Sequence, residues 1–262
     1  MDLYYELAKE IFDLDGKKCK CKGGHKVCLE CERCRAKDKD CLPDLTKPIA
    51  GYIDHTNLKA EATRYDIKIL CSEAEEFGFK TICINSANVA TARNKVENSL
   101  ICSVIGFPLG AVPTNVKVFE AKQAITDGAK EIDMVINIGE LKSKEYSYVL
   151  KDITEVAKVC HENGAKLKVI VETCLLNKTE KISSVLIAKK AGADFVKTST
   201  GMNKAGATIE DVKMMREIVG PKMGVKAAGG IRNYETAHAM LEAGANRIGA
   251  SQSIKIANTE TE

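Results

Sequence analysis

The chain has 262 residues, of which 45% are hydrophobic and 29% are charged, a composition typical of a globular protein with a full apolar core. The formal net charge is only +3, so composition gives no indication of a nucleic-acid or membrane-surface partner. The start, Met1–Asp15, is acidic, and no apolar run approaches the roughly 18 residues of a membrane-spanning helix. We therefore expect a cytoplasmic protein without a targeting segment or a membrane segment.

The first predicted element is an amphipathic helix over residues 2–14, because Leu3, Leu7, Ile11 and Leu14 lie at helical spacing. A cysteine-rich stretch follows, with Cys-x-Cys and Cys-x₂-Cys spacings that suit tetrahedral zinc. The candidate ligands are Cys19, Cys21, Cys28, Cys31, Cys34 and Cys41, with His25 as a further donor. We expect residues 1–47 to form a small appendage that holds a structural zinc ion and takes no part in catalysis.

Two other interpretations of the cysteine-rich stretch stay open. One is an iron–sulfur cluster, because Cys28, Cys31 and Cys34 begin a ferredoxin-type pattern, although Cys41 comes too late to complete it. The other is a segment whose thiols stay reduced and bind no metal. The stretch is basic, but it contains no motif for nucleic-acid recognition, so a nucleic-acid partner is not expected.

After Pro48 the sequence becomes regular. Short apolar runs alternate with charged stretches of helical period, a pattern typical of parallel strands covered on both faces. The runs are residues 51–54, 81–84, 100–107, 131–137, 167–173, 195–199, 224–228 and 247–251. Eight such units over residues 48–262 predict a (β/α)₈ TIM barrel. An open, doubly wound sheet is the alternative, which eight even units disfavour.

Three charged residues within the predicted strands stand out, namely Asp133, Lys197 and Lys226. Buried charges are unfavourable unless they are paired or used, and inward-facing side chains on these strands meet in one cavity. Burial and a second ammonium lower the pKa of a lysine, so that its neutral amine forms an imine while a carboxylate moves protons. This chemistry requires no metal and no cofactor. The alternative is a buried ion pair without a catalytic role.

Glycine-rich segments follow the last three predicted strands. TIM barrels often bind phosphate with the loops after strands seven and eight, because backbone N–H groups approach the anion closely there. The candidate phosphate-binding residues are Thr200, Gly201, Gly229, Gly230, Gly249 and Ser251. The expected ligand is therefore a small phosphorylated molecule.

Six segments between residues 49 and 253 resemble the deoxyribose-phosphate aldolase family. They are residues 53–56 (IDHT), 104–110 (VIGFPLG), 131–135 (EIDMV), 167–173 (LKVIVET), 195–201 (FVKTSTG) and 225–232 (VKAAGGIR). The resemblance implies a reversible cleavage of 2-deoxy-D-ribose 5-phosphate to acetaldehyde and D-glyceraldehyde 3-phosphate. It implies that Lys197 forms the imine, that Lys226 perturbs it and that Asp133 relays protons. It also implies that Asp54 and Thr56 line the substrate pocket, and that Gly201, Gly229, Gly230, Gly249 and Ser251 bind the phosphate.

The chain departs from this family in two places. It ends without the tyrosine that assists the proton step in some members, so water is expected to take that part, and residues 1–47 have no counterpart in the common core. Two other functions remain open: another Schiff-base phosphosugar aldolase or transaldolase, and an inactive barrel whose cysteine-rich head binds a partner. A homodimer is expected because oligomers are common among such barrels.

Overall fold

The computed structural model describes residues 2–13 and 41–260. The strands are β1 (Ile53–Asn57), β2 (Thr81–Asn85), β3 (Leu100–Ile105), β4 (Glu131–Val135), β5 (Lys166–Ile170), β6 (Phe195–Lys197), β7 (Gly224–Ala228) and β8 (Arg247–Ala250). They are parallel, each pairs with the next along the chain, and β8 pairs with β1 to close a barrel. Closure confirms the predicted (β/α)₈ barrel and excludes the open sheet.

Helices connect the strands and cover the outside of the barrel. They are α1 (Asp2–Asp13), α2 (Arg64–Phe77), α3 (Val89–Ala92), α4 (Thr114–Asp127), α5 (Ile138–Lys142), α6 (Tyr146–Glu162), α7 (Lys178–Lys190), α8 (Ile209–Val219), α9 (Tyr234–Glu242) and α10 (Ser253–Thr259). None of the helices in the described ranges is both long and apolar enough to cross a membrane. The charged stretches of helical period between the predicted strands form these helices, such as α4 and α7.

Local sequence explains where several helices begin. The Asn177 side chain accepts a hydrogen bond from the N–H of Glu180, and the Glu180 carboxylate accepts one from the N–H of Asn177. This reciprocal capping satisfies two N–H groups that an α-helix leaves unbonded at its start. Thr63 and Asp66 form the same arrangement before α2. Polar residues at these positions therefore fix the starts of α2 and α7.

The strand predictions were right in number and order but less accurate at the ends. The first strand begins at Ile53, because Ile49–Tyr52 forms a 3₁₀ turn after Pro48. The sixth ends at Lys197, two residues before the predicted end. The residues beyond it, Thr198 and Ser199, are buried in the loop that follows β6. Because buried residues continue beyond the last residue of the strand, the sequence pattern does not reveal where the strand ends.

The predicted N-terminal helix is present as α1 and packs on the barrel. Leu7, Ala8 and Ile11 are buried in the same apolar core as the barrel helices, with closest packing against α7. Lys190 on α7 donates a hydrogen bond to the carbonyl of Phe12 at 2.9 Å. Leu3, predicted to share the apolar face, is 39% exposed. The helix thus joins the barrel core through its second and third turns.

Most of the predicted metal site lies outside the described residues, including Cys19, Cys21, His25, Cys28, Cys31 and Cys34. Cys41 is described and half-buried. Its N–H donates to the carbonyl of Pro221 at 2.7 Å, and its thiol donates to the carbonyl of Lys222 at 3.5 Å. Cys41 therefore lies against the residues that precede β7.

The packing of α1 predicts that Ile11→Ala destabilises the protein while Lys9→Ala does not. Ile11 is fully buried, and truncation of such a side chain lowers the free energy of unfolding by about 2–3 kcal/mol. Lys9 is exposed on the same helix, and its truncation is expected to change this free energy by less than about 0.5 kcal/mol. Urea unfolding of both variants measures the difference. Equal stabilities would mean that α1 contributes nothing to the barrel.

Candidate active site

The barrel interior brings the three predicted residues, Asp133, Lys197 and Lys226, into contact. Lys197 Nζ and Lys226 Nζ lie 2.8 Å and 2.9 Å from the same oxygen of Asp133, Oδ2. Lys197 and Lys226 are register partners on β6 and β7, so their side chains point to the same side of the sheet. The sequence therefore identified three groups that form one cluster.

The same cluster contains a third lysine that the sequence analysis did not single out. Lys168 on β5 is fully buried, and its ammonium lies 2.8 Å from Asp133 Oδ1 and 2.6 Å from Glu131 Oε2. Lys168 is the register partner of Asp133, and Glu131 lies two residues before Asp133 on the same face of β4. The sequence did contain a signal for Glu131. Side chains alternate between the two faces of a strand, so Glu131 faces inward whenever Asp133 does.

Two further charges complete the cluster at the amino-terminal side of the barrel. Arg247 on β8 lies 2.7 Å from Asp54 and 2.8 Å from Glu131. Asp54 in turn contacts the ammonium of Lys226. Together these buried groups form what we call the seven-residue ion network. Its members are Asp54, Glu131, Asp133, Lys168, Lys197, Lys226 and Arg247.

The seven-residue ion network carries one positive charge in excess when all of its groups are ionised. Four cations face three carboxylates, and all seven side chains are at least nine-tenths buried. An uncompensated charge in such an environment is unfavourable, since little water reaches it. Release of one proton from one of the three lysines makes the network neutral. The network therefore holds one cation more than its carboxylates balance.

The carboxylate at the centre of the network stays ionised. Burial alone would raise the pKa of Asp133, but the ammonium groups of Lys168, Lys197 and Lys226 outweigh burial and hold this pKa well below its ordinary value. Burial would likewise lower the pKa of Lys226, yet the carboxylates of Asp133 and Asp54 raise it. Lys226 therefore remains a cation beside Lys197.

Two thiols also face Asp133. Cys102 Sγ lies 3.0 Å from Asp133 Oδ1, and Cys83 on the neighbouring strand is its register partner. The hydrogen bond from Cys102 lowers the pKa of Cys83 to about 7 against the effect of burial, with Lys226 contributing to the decrease. These thiols and Asp133 lie close enough together to ligate a metal ion. The surrounding ammonium groups oppose this, because they already occupy the carboxylate oxygens that a cation requires.

A cavity of about 500 Å³ opens above the network at the carboxyl ends of the strands. Lys197 is the only network member among the described residues that line it. Asp54, expected in the pocket lining, lies beneath the cavity in its pairs with Lys226 and Arg247. Other expected residues do line the cavity, namely Thr56, Thr200, Gly201, Gly229, Gly230, Gly249 and Ser251, and Arg232 joins them at the rim.

Gly249 also makes room for the network. A Cβ atom at this position would lie 3.0 Å from Cε of Lys226 and 3.0 Å from Cβ of Ala228, closer than nearly all real Cβ contacts. The absence of a side chain on β8 therefore lets the Lys226 chain cross the barrel interior to Asp133. Gly249 thus leaves space for a side chain of the ion network and also forms part of the cavity wall.

The chain matches a family model described as DeoC/LacD family aldolase over residues 49–256. It is 61% identical over 214 residues to the deoxyribose-phosphate aldolase of Thermococcus kodakarensis, covering 80% of this chain and 96% of that protein. Among solved structures it is similar to QR15, an aldolase, with 41% identity and a TM-score of 0.79 over 81% of this chain and 96% of that one. It is also similar to the tetrameric deoxyribose phosphate aldolase from Aeropyrum pernix, with 34% identity and a TM-score of 0.77. This match covers 82% of this chain and 91% of that one.

The central position of Lys168 predicts an acid-sensitive variant, Lys168→Met. The depressed pKa values of Asp133 and Glu131 stabilise the fold above the pKa of the unfolded carboxyls, about 4, and this contribution is lost as pH falls through the folded pKa values. Without Lys168 both folded pKa values rise, so the loss begins at higher pH. We expect the midpoint of acid unfolding, measured by circular dichroism, to rise by about one pH unit or more. At neutral pH the free energy of unfolding is expected to fall, because Asp133 and Glu131 each lose one of their cations.

The matched control for this variant is Lys142→Met. Lys142 is 45% exposed and pairs with Glu180 on the surface at 2.9 Å. An exposed ion pair contributes about 0–1 kcal/mol, so the acid midpoint of this control is expected to stay at the wild-type value. An unchanged midpoint in Lys168→Met would contradict the role of Lys168 as the main partner of Asp133.

Proposed function

The chain belongs to the DeoC/LacD family of aldolases, and we propose that it reversibly cleaves 2-deoxy-D-ribose 5-phosphate to acetaldehyde and D-glyceraldehyde 3-phosphate through a Schiff base on Lys197. Two lines of support converge on this substrate. The aldolases named for deoxyribose phosphate include a relative that is 61% identical to this chain. The cavity has a buried lysine at its base and glycine-rich loops at its rim, which suit a sugar aldehyde and its phosphate.

The observation that carries the proposal is the position of Lys197. It joins the seven-residue ion network to the cavity, while Lys168 and Lys226 lie fully buried beneath it. Among the three lysines of the network, only an amine that lines the cavity can meet a carbonyl carbon. A lysine must be neutral to act as this nucleophile.

The reaction follows from this arrangement. The Lys197 amine attacks the C1 aldehyde of the open-chain sugar, and loss of water gives a protonated imine. The C3 hydroxyl loses its proton, the C2–C3 bond breaks, and its electron pair moves into the imine to form an enamine. Glyceraldehyde 3-phosphate leaves, the enamine takes a proton at C2, and water releases acetaldehyde from Lys197.

Asp133 and Lys226 support these steps from below the cavity. Asp133 accepts a hydrogen bond from Lys197 at 2.8 Å, which holds the nitrogen in place. Lys226 stays charged 2.9 Å from the same oxygen and disfavours a second ammonium beside it. Because Asp133 lies beneath the cavity, its proton exchange with the substrate passes through the Lys197 nitrogen or through a water molecule.

The loops at the rim form the proposed phosphate site. Within the described residues, the N–H groups of Gly201, Gly230 and Ser251 donate to no protein acceptor. N–H groups without an acceptor that line a cavity suit a phosphate group. Arg232 lines the same cavity and supplies positive charge. We assign the C5 phosphate to this end and the aldehyde to the Lys197 end.

We further propose that residues 48–262 form the catalytic unit, that residues 1–47 form an appendage with one structural zinc ion, and that catalysis requires no metal. The cysteine spacing supports zinc, and the packing of Leu7 and Ile11 supports an appendage attached to the barrel. We also propose a cytoplasmic protein that self-associates as a homodimer. The Aeropyrum pernix relative is a tetramer, so its assembly supports self-association but not this number of subunits.

The Schiff base predicts that borohydride with acetaldehyde fixes an ethyl group on Lys197, identified by peptide mass spectrometry. Lys197→Met is expected to lose the adduct and cleavage activity together. Lys226→Met is expected to keep the adduct, but the pH midpoint of its formation rises by about one unit because a neighbouring cation is gone. An ethyl group found on another lysine in the wild-type protein would refute the assignment.

Substrate specificity separates the proposal from its alternatives. A deoxyribose-phosphate aldolase releases acetaldehyde from 2-deoxyribose 5-phosphate, whereas a transaldolase transfers a dihydroxyacetone unit between sugar phosphates. An inactive barrel gives neither product and no borohydride adduct.

The zinc proposal predicts about one zinc ion per chain by elemental analysis of the full-length protein. We expect a strong chelator to remove this ion without loss of aldol cleavage, because the imine chemistry needs none. Replacing Cys28 and Cys31 by Ser is expected to abolish zinc binding. Cys160→Ser serves as the control, since this thiol is buried in the barrel and burial raises its pKa to about 12. Iron and sulfide in place of zinc, or activity lost with the metal, would contradict the proposal.

A further inference from the structure

Glu172 is a buried carboxylate that the reaction described above does not use. It follows β5 at the carboxyl end of the barrel and is 0% exposed. Its backbone lies in the left-handed region, with φ 59° and ψ 63°. A residue other than glycine is strained in this region, and such strain persists where the surrounding structure requires that conformation. The interactions that hold this conformation are therefore to be found among the contacts of the Glu172 side chain.

The Glu172 carboxylate binds the loop that follows β6. Its oxygens accept hydrogen bonds from the N–H and the hydroxyl of Thr200, and from the Asn203 side-chain amide at 3.0 Å. The Thr200 hydroxyl in turn accepts a hydrogen bond from the N–H of Met202 at 3.1 Å. One carboxylate thus holds both ends of the Thr200–Asn203 segment.

These bonds commit both donors of Thr200. Its N–H and its hydroxyl point to Glu172, so neither donates to a ligand in the cavity in this arrangement. Gly201, between Thr200 and Met202, keeps its N–H without an acceptor among the described residues and lines the cavity. Glu172 therefore fixes the two neighbours of a free N–H group that faces the proposed phosphate site.

The far side of the same loop is held against the loop after β7. A Cβ atom on Gly206 would lie 2.0 Å from the carbonyl oxygen of Gly229, so only glycine permits this approach. The N–H of Ala207 donates to the carbonyl oxygens of Ala228 and Gly229 at 3.1 Å. Glu172 on one side and Gly229 on the other thus define the course of the loop.

We propose that Glu172 is a positioning residue for the phosphate group of the substrate, acting through the Thr200–Asn203 segment. The proposal rests on the proposed function, since it assigns the phosphate to the cavity rim. The carboxylate does not meet the phosphate, because its oxygens are already bound by Thr200 and Asn203. Its contribution is to hold the Gly201 N–H in the direction of the anion.

A loop that is no longer held binds the phosphate group less well, but leaves Lys197 chemistry intact. We therefore expect Glu172→Ala to raise KM for 2-deoxyribose 5-phosphate and lower kcat/KM about 10- to 100-fold. For 2-deoxyribose, which lacks the phosphate, kcat/KM is expected to change by less than about threefold. Thr200→Val removes one of the bonds to Glu172 and is expected to give part of the same effect.

The experiment compares both sugars in wild type, Glu172→Ala, Glu172→Gln and Glu162→Gln. Glu162 is exposed on α6 and controls for loss of a carboxylate. Borohydride trapping with acetaldehyde checks that each variant retains a working Lys197. Selective loss of the phosphorylated substrate supports the proposal. Equal loss with both sugars, or no loss with either, overturns it and leaves Glu172 a structural residue.

Binding of inorganic phosphate, measured by calorimetry, separates this proposal from the proposed function. If wild type binds phosphate and Glu172→Ala binds it at least about tenfold more weakly, the positioning role stands even where no sugar is cleaved. If wild type cleaves the sugar phosphate and both proteins bind phosphate equally, the positioning role fails while the proposed function stands.

Discussion

Charge balance inside a closed barrel is the constraint on which this structure depends. Unit charges about 4 Å apart interact by about 4 kcal/mol at an effective dielectric constant near 20, and a buried charge without its partner destabilises a protein by a similar amount. The interior of this barrel holds seven such charges in mutual contact. Each carboxylate contacts at least two of the cations, and one of these cations, Lys197, faces the cavity. The arrangement that holds the interior together also places one lysine at the cavity.

In the proposed function the barrel separates reactivity from recognition. Strand residues, fixed by register, form the network at the base of the cavity, where small displacements would break several ion pairs at once. Loop residues form the rim, where glycines bring backbone groups to the surface and Glu172 holds one loop through Thr200 and Asn203. In the proposed function, side chains on rigid strands supply the reactive groups, and main-chain groups in loops, held by further contacts, bind the substrate.

The sequence predicted much of this, for reasons that concern local pattern. Eight apolar runs with helical stretches between them are enough to indicate the barrel, and lysines within such runs stand out because they break the pattern. Lys168 did not stand out, because it follows the exposed Lys166 closely and the pair is typical of a solvated strand start. Only the register with Asp133 on the neighbouring strand turns Lys168 into a member of the network.

Other features depend on distances that no local pattern contains. Asp54 was expected in the pocket lining, but whether a strand residue lies at or below the cavity depends on the shear of the closed barrel. Arg247 and Glu131 meet across 116 positions of sequence. The left-handed backbone of Glu172 is invisible to propensity, because glutamate is not a residue that favours it. The cysteine spacing indicates a metal site but cannot show how it lies relative to the barrel.

The ion pairs that Arg247 forms within the network have a consequence for how this interior can evolve. Arg247 is bound to both Asp54 and Glu131, and these are bound to lysines that contact Asp133. Loss of one carboxylate leaves two cations in excess, whereas the joint loss of one carboxylate and one cation leaves the charge balance of the network unchanged. The seven positions therefore form one epistatic unit, in which the charge balance survives loss of an acidic residue only when a basic residue is lost with it. A barrel lineage reaches a different lysine chemistry more readily by altering the loops above this unit than by altering the unit itself.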